Sequence, residues 1–177
     1  MSDMTDKFTG FPSLKPAVIT KVNIGDINDL GKIFNGSQLT HFGIPTGTIE
    51  TVAGFEPAFK ANVVFGADWL SFDPDSNFAR VDLKGIAKTE KGYAIDFRAA
   101  GVIRMIPEIK KIAAMDPTMA TIPFGAITAT HTFLTADPEL KMLESSVFCS
   151  NSRFIVSETG LSVETRQALV VASTDMD

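Results

Sequence analysis

Two segments of this chain each read as strand, tight turn, strand, and they limit its fold more than any other feature. Phe78–Thr89 and Tyr93–Arg104 flank Glu90-Lys91-Gly92, while Val147–Ser157 and Leu161–Ala172 flank Glu158-Thr159-Gly160. Each turn ends in glycine, which takes up the left-handed backbone that short hairpin loops need. In the first hairpin Ala79, Val81 and Leu83 alternate with Arg80, Asp82 and Lys84. Its second strand sets Tyr93, Ile95, Phe97 and Ala99 against Ala94, Asp96, Arg98 and Ala100. A period of two with one half-polar face belongs to an antiparallel sheet, not to a parallel βαβ sheet buried on both sides.

Other short runs rich in Val, Ile, Thr and Phe carry the same strand signature: Ala17–Ile24, Gln38–Phe42, Thr48–Ala53, Ala58–Gly66 and Ile127–Leu134. Closing so many strands on themselves removes exposed edges. The expected fold is therefore all-β, an antiparallel, calycin-like β-barrel, with a two-sheet sandwich as the alternative. It forms one domain over residues 1–177, with frayed ends at 1–7 and 174–177. Two short helices interrupt the strands. Pro107–Met115 shows helical spacing of Ile109, Ile112 and Ala113, and a second helix starts at Asp137-Pro138-Glu139, with Asp137 as N-cap and Pro138 in the first turn. Both are expected to cover barrel ends, and Thr118–Gly125 reads as a loop able to act as a lid.

A net charge of −5 with no basic cluster beyond Lys110-Lys111 argues against binding nucleic acid. The single cysteine, Cys149, excludes an intrachain disulfide and a dithiol zinc site. The first twenty residues do not read as a signal peptide, and no apolar run reaches the length of a spanning helix. A cytoplasmic protein with no membrane partner is expected. Glycine-rich nucleotide motifs and a GxSxG elbow are absent. His41 and His131 are the only histidines, and no metal and no cofactor is expected.

Gly66-Ala67-Asp68-Trp69, followed by the turn Asp73-Pro74-Asp75, begins a series of features in a telling order. Ala79–Asp82, Arg98-Ala99-Ala100-Gly101, Pro107-Glu108-Ile109, Asp137-Pro138 through Leu143, and Ser146-Val147-Phe148 follow. In that order they resemble the family called domain of unknown function 3237, from about Gly47 onward. The chain differs from the family pattern at Thr128–Phe133, ahead of Asp137-Pro138, and at Glu144. The resemblance implies a small β-barrel with a small organic ligand, in proteins that look catabolic or accessory to natural-product pathways.

Asp68, beside the only tryptophan, is expected to be a desolvated carboxyl fit for acid–base work near neutral pH. His131 shares a strand face with Ile127, Ala129 and Phe133, which suits either a proton shuttle or a structural imidazole. Arg104, where the chain leaves the sheet, is expected at the barrel mouth to steady negative charge. Trp69, His41, Phe133 and Glu144 are expected to bind substrate. These residues suggest a cofactor-independent cyclase, isomerase or lyase acting on a hydrophobic small molecule, such as a polyketide- or terpenoid-like intermediate. The alternative is a non-catalytic, lipocalin-like carrier. Exposed strand edges leave room for a homodimer.

Overall fold

The computed structural model describes residues 9–175. The fraying expected at 1–7 and 176–177 lies outside the described residues. Asp175 lies inside them, and its carboxylate accepts a hydrogen bond from the Gly10 amide at 3.3 Å.

In chain order the elements are β1 (Ser13–Asn23), β2 (Ile27–Lys32), β3 (Gln38–Gly43), β4 (Thr46–Thr51), β5 (Lys60–Phe72), β6 (Phe78–Thr89) and β7 (Ala94–Arg104). Helix α1 (Pro107–Ala113), β8 (Ile127–Thr135), a 3-10 helix (Pro138–Ser145), β9 (Phe148–Ser157) and β10 (Gly160–Val171) follow. All strand pairs are antiparallel, and β5 pairs with β6 to close an eight-stranded barrel.

The register can be walked once round. From Phe72 on β5 the partners run Ala79, Ile103, Ile127, Ser152, Thr165, Thr20 and Ile49, and the row returns to β5 at Ala61. Coming back near the opposite end of the same strand means that the strands tilt steeply, the condition under which eight strands can leave interior room.

Two features differ from the expected strands. β5 runs on to Phe72 instead of stopping at Gly66, because its first half pairs with β4 and its second half with β3. Asp68 and Trp69 are therefore mid-strand, not at a strand end. The segment Ile27–Lys32, too polar and too glycine-interrupted to read as a strand, becomes β2 by pairing with the outer edge of β3, and remains exposed almost throughout.

Inward residues form two apolar clusters. One joins Phe133, Phe148, Ile95, Ile49 and Phe55 beneath Leu140 and Leu143 of the 3-10 helix. The other joins Ile103, Leu70 and Ile127 to Ile109 and Ile112 of α1. Asp137 caps the 3-10 helix by accepting the Glu139 amide at 3.0 Å. Both helices cover the barrel because each presents two buried aliphatic side chains to it.

Gly85 faces Phe97 in register, and the ring takes the space a side chain would need. A Cβ there would stand 2.4 Å from Phe97 Cζ and 2.9 Å from the Phe65 carbonyl oxygen. Because one neighbour is backbone, Gly85→Ala is expected to destabilise the fold by about 1–3 kcal/mol through overpacking, read as a lower melting temperature.

Candidate functional site

Between the two clusters the barrel holds a cavity of about 110 Å³. Its wall is mostly aliphatic and aromatic, with Val22, Leu70, Leu83, Phe97 and Phe154 among its members, and Ile109 and Ile112 of α1 close one end. Ile27 and Met115 also line it and are themselves exposed, so the cavity reaches solvent there. The volume falls below the ~150 Å³ of an apolar cavity that accepts benzene, which limits what lies wholly inside to about one small ring.

Six polar side chains line this cavity: Thr20, Asp68, His131, Ser152, Thr165 and Gln167. Strand parity explains each. Asp68 sits in the inward series with Leu70 and Phe72 on β5, and His131 in that of Ile127 and Ala129 on β8.

Asp68 stands where the β5–β6 ladder is interrupted, between the pairs Asp68↔Leu83 and Ser71↔Arg80. There the Asp82 amide donates to Asp68 Oδ1 at 3.0 Å. Burial raises the Asp68 pKa from 3.8 to about 7; the Asp82 amide opposes that rise, and the Asp82 carboxylate adds to it. One backbone hydrogen bond does not replace the water that the carboxylate loses, so desolvation wins.

His131 is buried, and its Nε2 lies 2.7 Å from Ser150 Oγ. Burial alone lowers its pKa from 6.5 to about 4. The usual order of the two groups is thus inverted: near neutral pH the imidazole is uncharged and the carboxyl is half-ionised. They share one cross-strand row, Asp68, Leu83, Ala99, His131. Three strand steps separate them by about 14 Å along the wall, and neither bonds the other.

The family model described as "Protein of unknown function (DUF3237)" matches residues 12–170. The chain belongs to the DUF3237 family. No curated protein matches it. Solved structures do. A conserved protein of unknown function from Rhodopseudomonas palustris superposes with a TM-score of 0.74 at 17% identity, over 92% of this chain and 100% of that one. A beta-barrel like protein from Acinetobacter baumannii AYE gives 0.69 at 18% identity, over 93% and 99%. An enzyme from Penicillium herquei gives 0.59 at 15% identity, over 92% and 97%. At these identities the likeness concerns the fold.

In this DUF3237 protein Asp68 and His131 come together in one lumen, but the other expected site residues do not reach it. Trp69 follows Asp68 and so faces outward, 39% exposed, with its ring 5.1 Å from His41 in an edge-on contact. His41 pairs with Trp69 in register and shares that outer face, its Nδ1 3.2 Å from Asn28 Nδ2. Arg104 lies between the inward Ile103 and Met105 and points out, donating to the Gly125 carbonyl at 3.2 Å. Phe133 faces inward but beyond the cavity, 2% exposed and edge-on to Phe148 at 5.4 Å. The outward turn of Trp69, His41 and Arg104 follows from the two-residue period once the strand register is fixed, whereas Phe133 shares the inward face of His131 and lies too far along β8 to reach the cavity.

Glu144 is also displaced from the site. It is exposed on the 3-10 helix and accepts from the Thr135 amide at 2.9 Å and from Lys141 Nζ at 3.1 Å. The Thr135 amide, and then Lys141, hold its carboxyl below the usual range. Its part is to fasten the helix to β8. Glu144→Ala is expected to lower the melting temperature while leaving ligand binding to the lumen unchanged, as calorimetry would show.

The sequence reading missed Thr20, Ser152, Thr165 and Gln167. Their signal was present, since each interrupts an apolar face: Thr20 between Val18 and Val22, and Thr165 and Gln167 in line with Leu161 and Val163. Among the described residues no three His, Cys, Asp or Glu side chains gather as a metal ion would require. No helix among them is long and apolar enough to cross a membrane.

Proposed function

We propose that this protein is an acid–base catalyst, a cyclase, isomerase or lyase, acting in the cytoplasm on a hydrophobic small molecule held in the barrel lumen. The observation that carries the reading is Asp68: a carboxyl buried in the wall of a mostly apolar cavity, where the loss of water pushes its pKa up to about 7. A group titrating there is balanced between base and acid at the operating pH, where proton transfer works best in both directions. As the carboxylate, Asp68 takes a proton from the substrate; as the acid, it returns one to another atom of the same molecule. In an isomerisation or ring closure the proton count then balances without any partner being consumed.

His131 contributes differently from the shuttle first envisaged. Uncharged across the neutral range, it keeps Nδ1 as a hydrogen-bonding group while the Nε2 contact with Ser150 fixes its plane. The apolar wall holds the substrate in a reactive shape, a contribution that effective molarities show to be large. The likeness to an enzyme from Penicillium herquei is in keeping with catalysis on this fold.

The rival reading, a carrier, is favoured by the same apolar lining and differs in what happens to the ligand. Native mass spectrometry of the protein from its own source, followed by incubation with the compound found, separates them. A changed product supports catalysis; a compound held unchanged at stoichiometric occupancy supports the carrier and overturns the enzyme.

A further inference from the structure

Gln167 is 4% exposed and belongs to the inward face of β10 with Leu161, Val163 and Thr165. Its Nε2 donates to Thr20 Oγ1 at 2.8 Å, which fixes the plane of the amide. Its Oε1 is buried and accepts no hydrogen bond from the protein, and Gln167 is among the residues that line the same cavity. Such an acceptor loses its hydration on folding, and leaving it unmatched is unfavourable. Close by in the strand register, Ser150 pairs with Gln167 and binds His131, while Ser152 pairs with Thr165 and bonds it at 2.9 Å. The hydroxyls of this stripe are matched among themselves; the Gln167 carbonyl is the exception. Carboxamides in apolar pockets act in this way, orienting a ligand through one well-placed polar contact.

We propose that Gln167 is a specificity residue whose Oε1 accepts a hydrogen bond from a hydroxyl on the ligand, so that the lumen selects compact, ring-sized apolar molecules bearing a hydroxyl group. The proposal rests on the reading of the lumen as the substrate site. It adds which functional group the substrate carries and which wall that group faces: the β10–β1 wall, distinct from the β5 wall that carries Asp68. A site built around a buried acceptor discriminates strongly against a ligand that lacks the matching donor.

The test uses phenol and toluene, which differ by a hydroxyl in place of a methyl group, with calorimetric binding to the full chain. In the unaltered protein phenol is expected to bind about tenfold more tightly than toluene, the effect of one buried hydrogen bond. The ratio should hold at about pH 5 and about pH 9, on either side of the Asp68 titration near 7, since the Asp68 carboxylate is not the acceptor. In Gln167→Met, similar in size but without the acceptor, the preference should vanish while toluene still binds. Retained toluene binding also shows that the variant is folded. Equal binding of the two probes to the unaltered protein, or a preference that survives in Gln167→Met or appears only at high pH, overturns the role of Gln167 alone. Failure of both probes to bind overturns it together with the reading of the lumen as the substrate site.

Discussion

Asp68→Asn is expected to lower turnover of the substrate by about 10²–10⁴-fold, the usual weight of a general acid–base group, and at the same time to make the fold more stable above neutral pH. Asparagine keeps the size of the side chain but cannot titrate. The stability effect follows from linkage. Asp68 has its folded pKa raised from 3.8 to about 7, so between those values the folded state holds a proton that the unfolded chain has lost. Its contribution to stability therefore falls as pH rises through that window, by about 1.4 kcal/mol per unit, and above it the buried anion costs up to about 4 kcal/mol.

His131 works in the opposite sense. Its folded pKa is lowered from 6.5 to about 4, so stability is lost as pH falls through that range, where only the unfolded chain takes up the proton. Between about 4 and 6.5 the two slopes largely cancel in the natural protein. Asp68→Asn removes one of them, and its denaturant midpoint should climb with pH across that interval. A rate unchanged by the substitution would remove Asp68 from the mechanism. A pH–stability curve unchanged by it would show the carboxyl to be hydrated.

Phe133→Ala carries the largest structural penalty expected of any single substitution considered, about 3–5 kcal/mol. The ring is 2% exposed and packs edge-on against Phe148 at an interplanar angle of 90°. Ile95, Leu140 and Leu143 of the same cluster are also buried, and a packed core collapses only in part into the space a lost ring leaves. At about 2–4 °C per kcal/mol for a chain of this size, the melting temperature should fall by roughly 10 °C. If Phe133 were a wall of the substrate site, binding would fall with little change in melting temperature.

The barrel was legible because alternation is strong in Ala79–Lys84, where Ala79, Val81 and Leu83 each stand beside a charged residue, and in the partner strand, where Ile95 and Phe97 flank Asp96. What alternation does not carry is where a strand stops when its polar residues are functional. Asp68 and Trp69 resemble the start of a turn, yet β5 continues through them, held on both edges by β3 and β6. That extension decides which of the two enters the lumen. With Asp68 inward, Trp69 must be outward, and adjacency in sequence becomes separation in space.

Arg104 and His41 were misplaced for a related reason. Arg104 was expected at the barrel mouth and His41 in the substrate site, but register, set by partners far along the chain, turned both outward. Gln167 went unnoticed because one amide among apolar residues resembles an interruption of the strand; its meaning depends on Thr20, at the other end of the sequence. Long-range pairing supplied what local spacing lacked.

Catalysis as proposed depends on a carboxyl held out of water in the lumen and kept ready to give or take a proton. Carboxyl-carbon NMR of the Asp68 side chain, followed across pH, measures that directly. The account predicts a midpoint near 7; a midpoint at the ordinary aspartate value of 3.8 would contradict it.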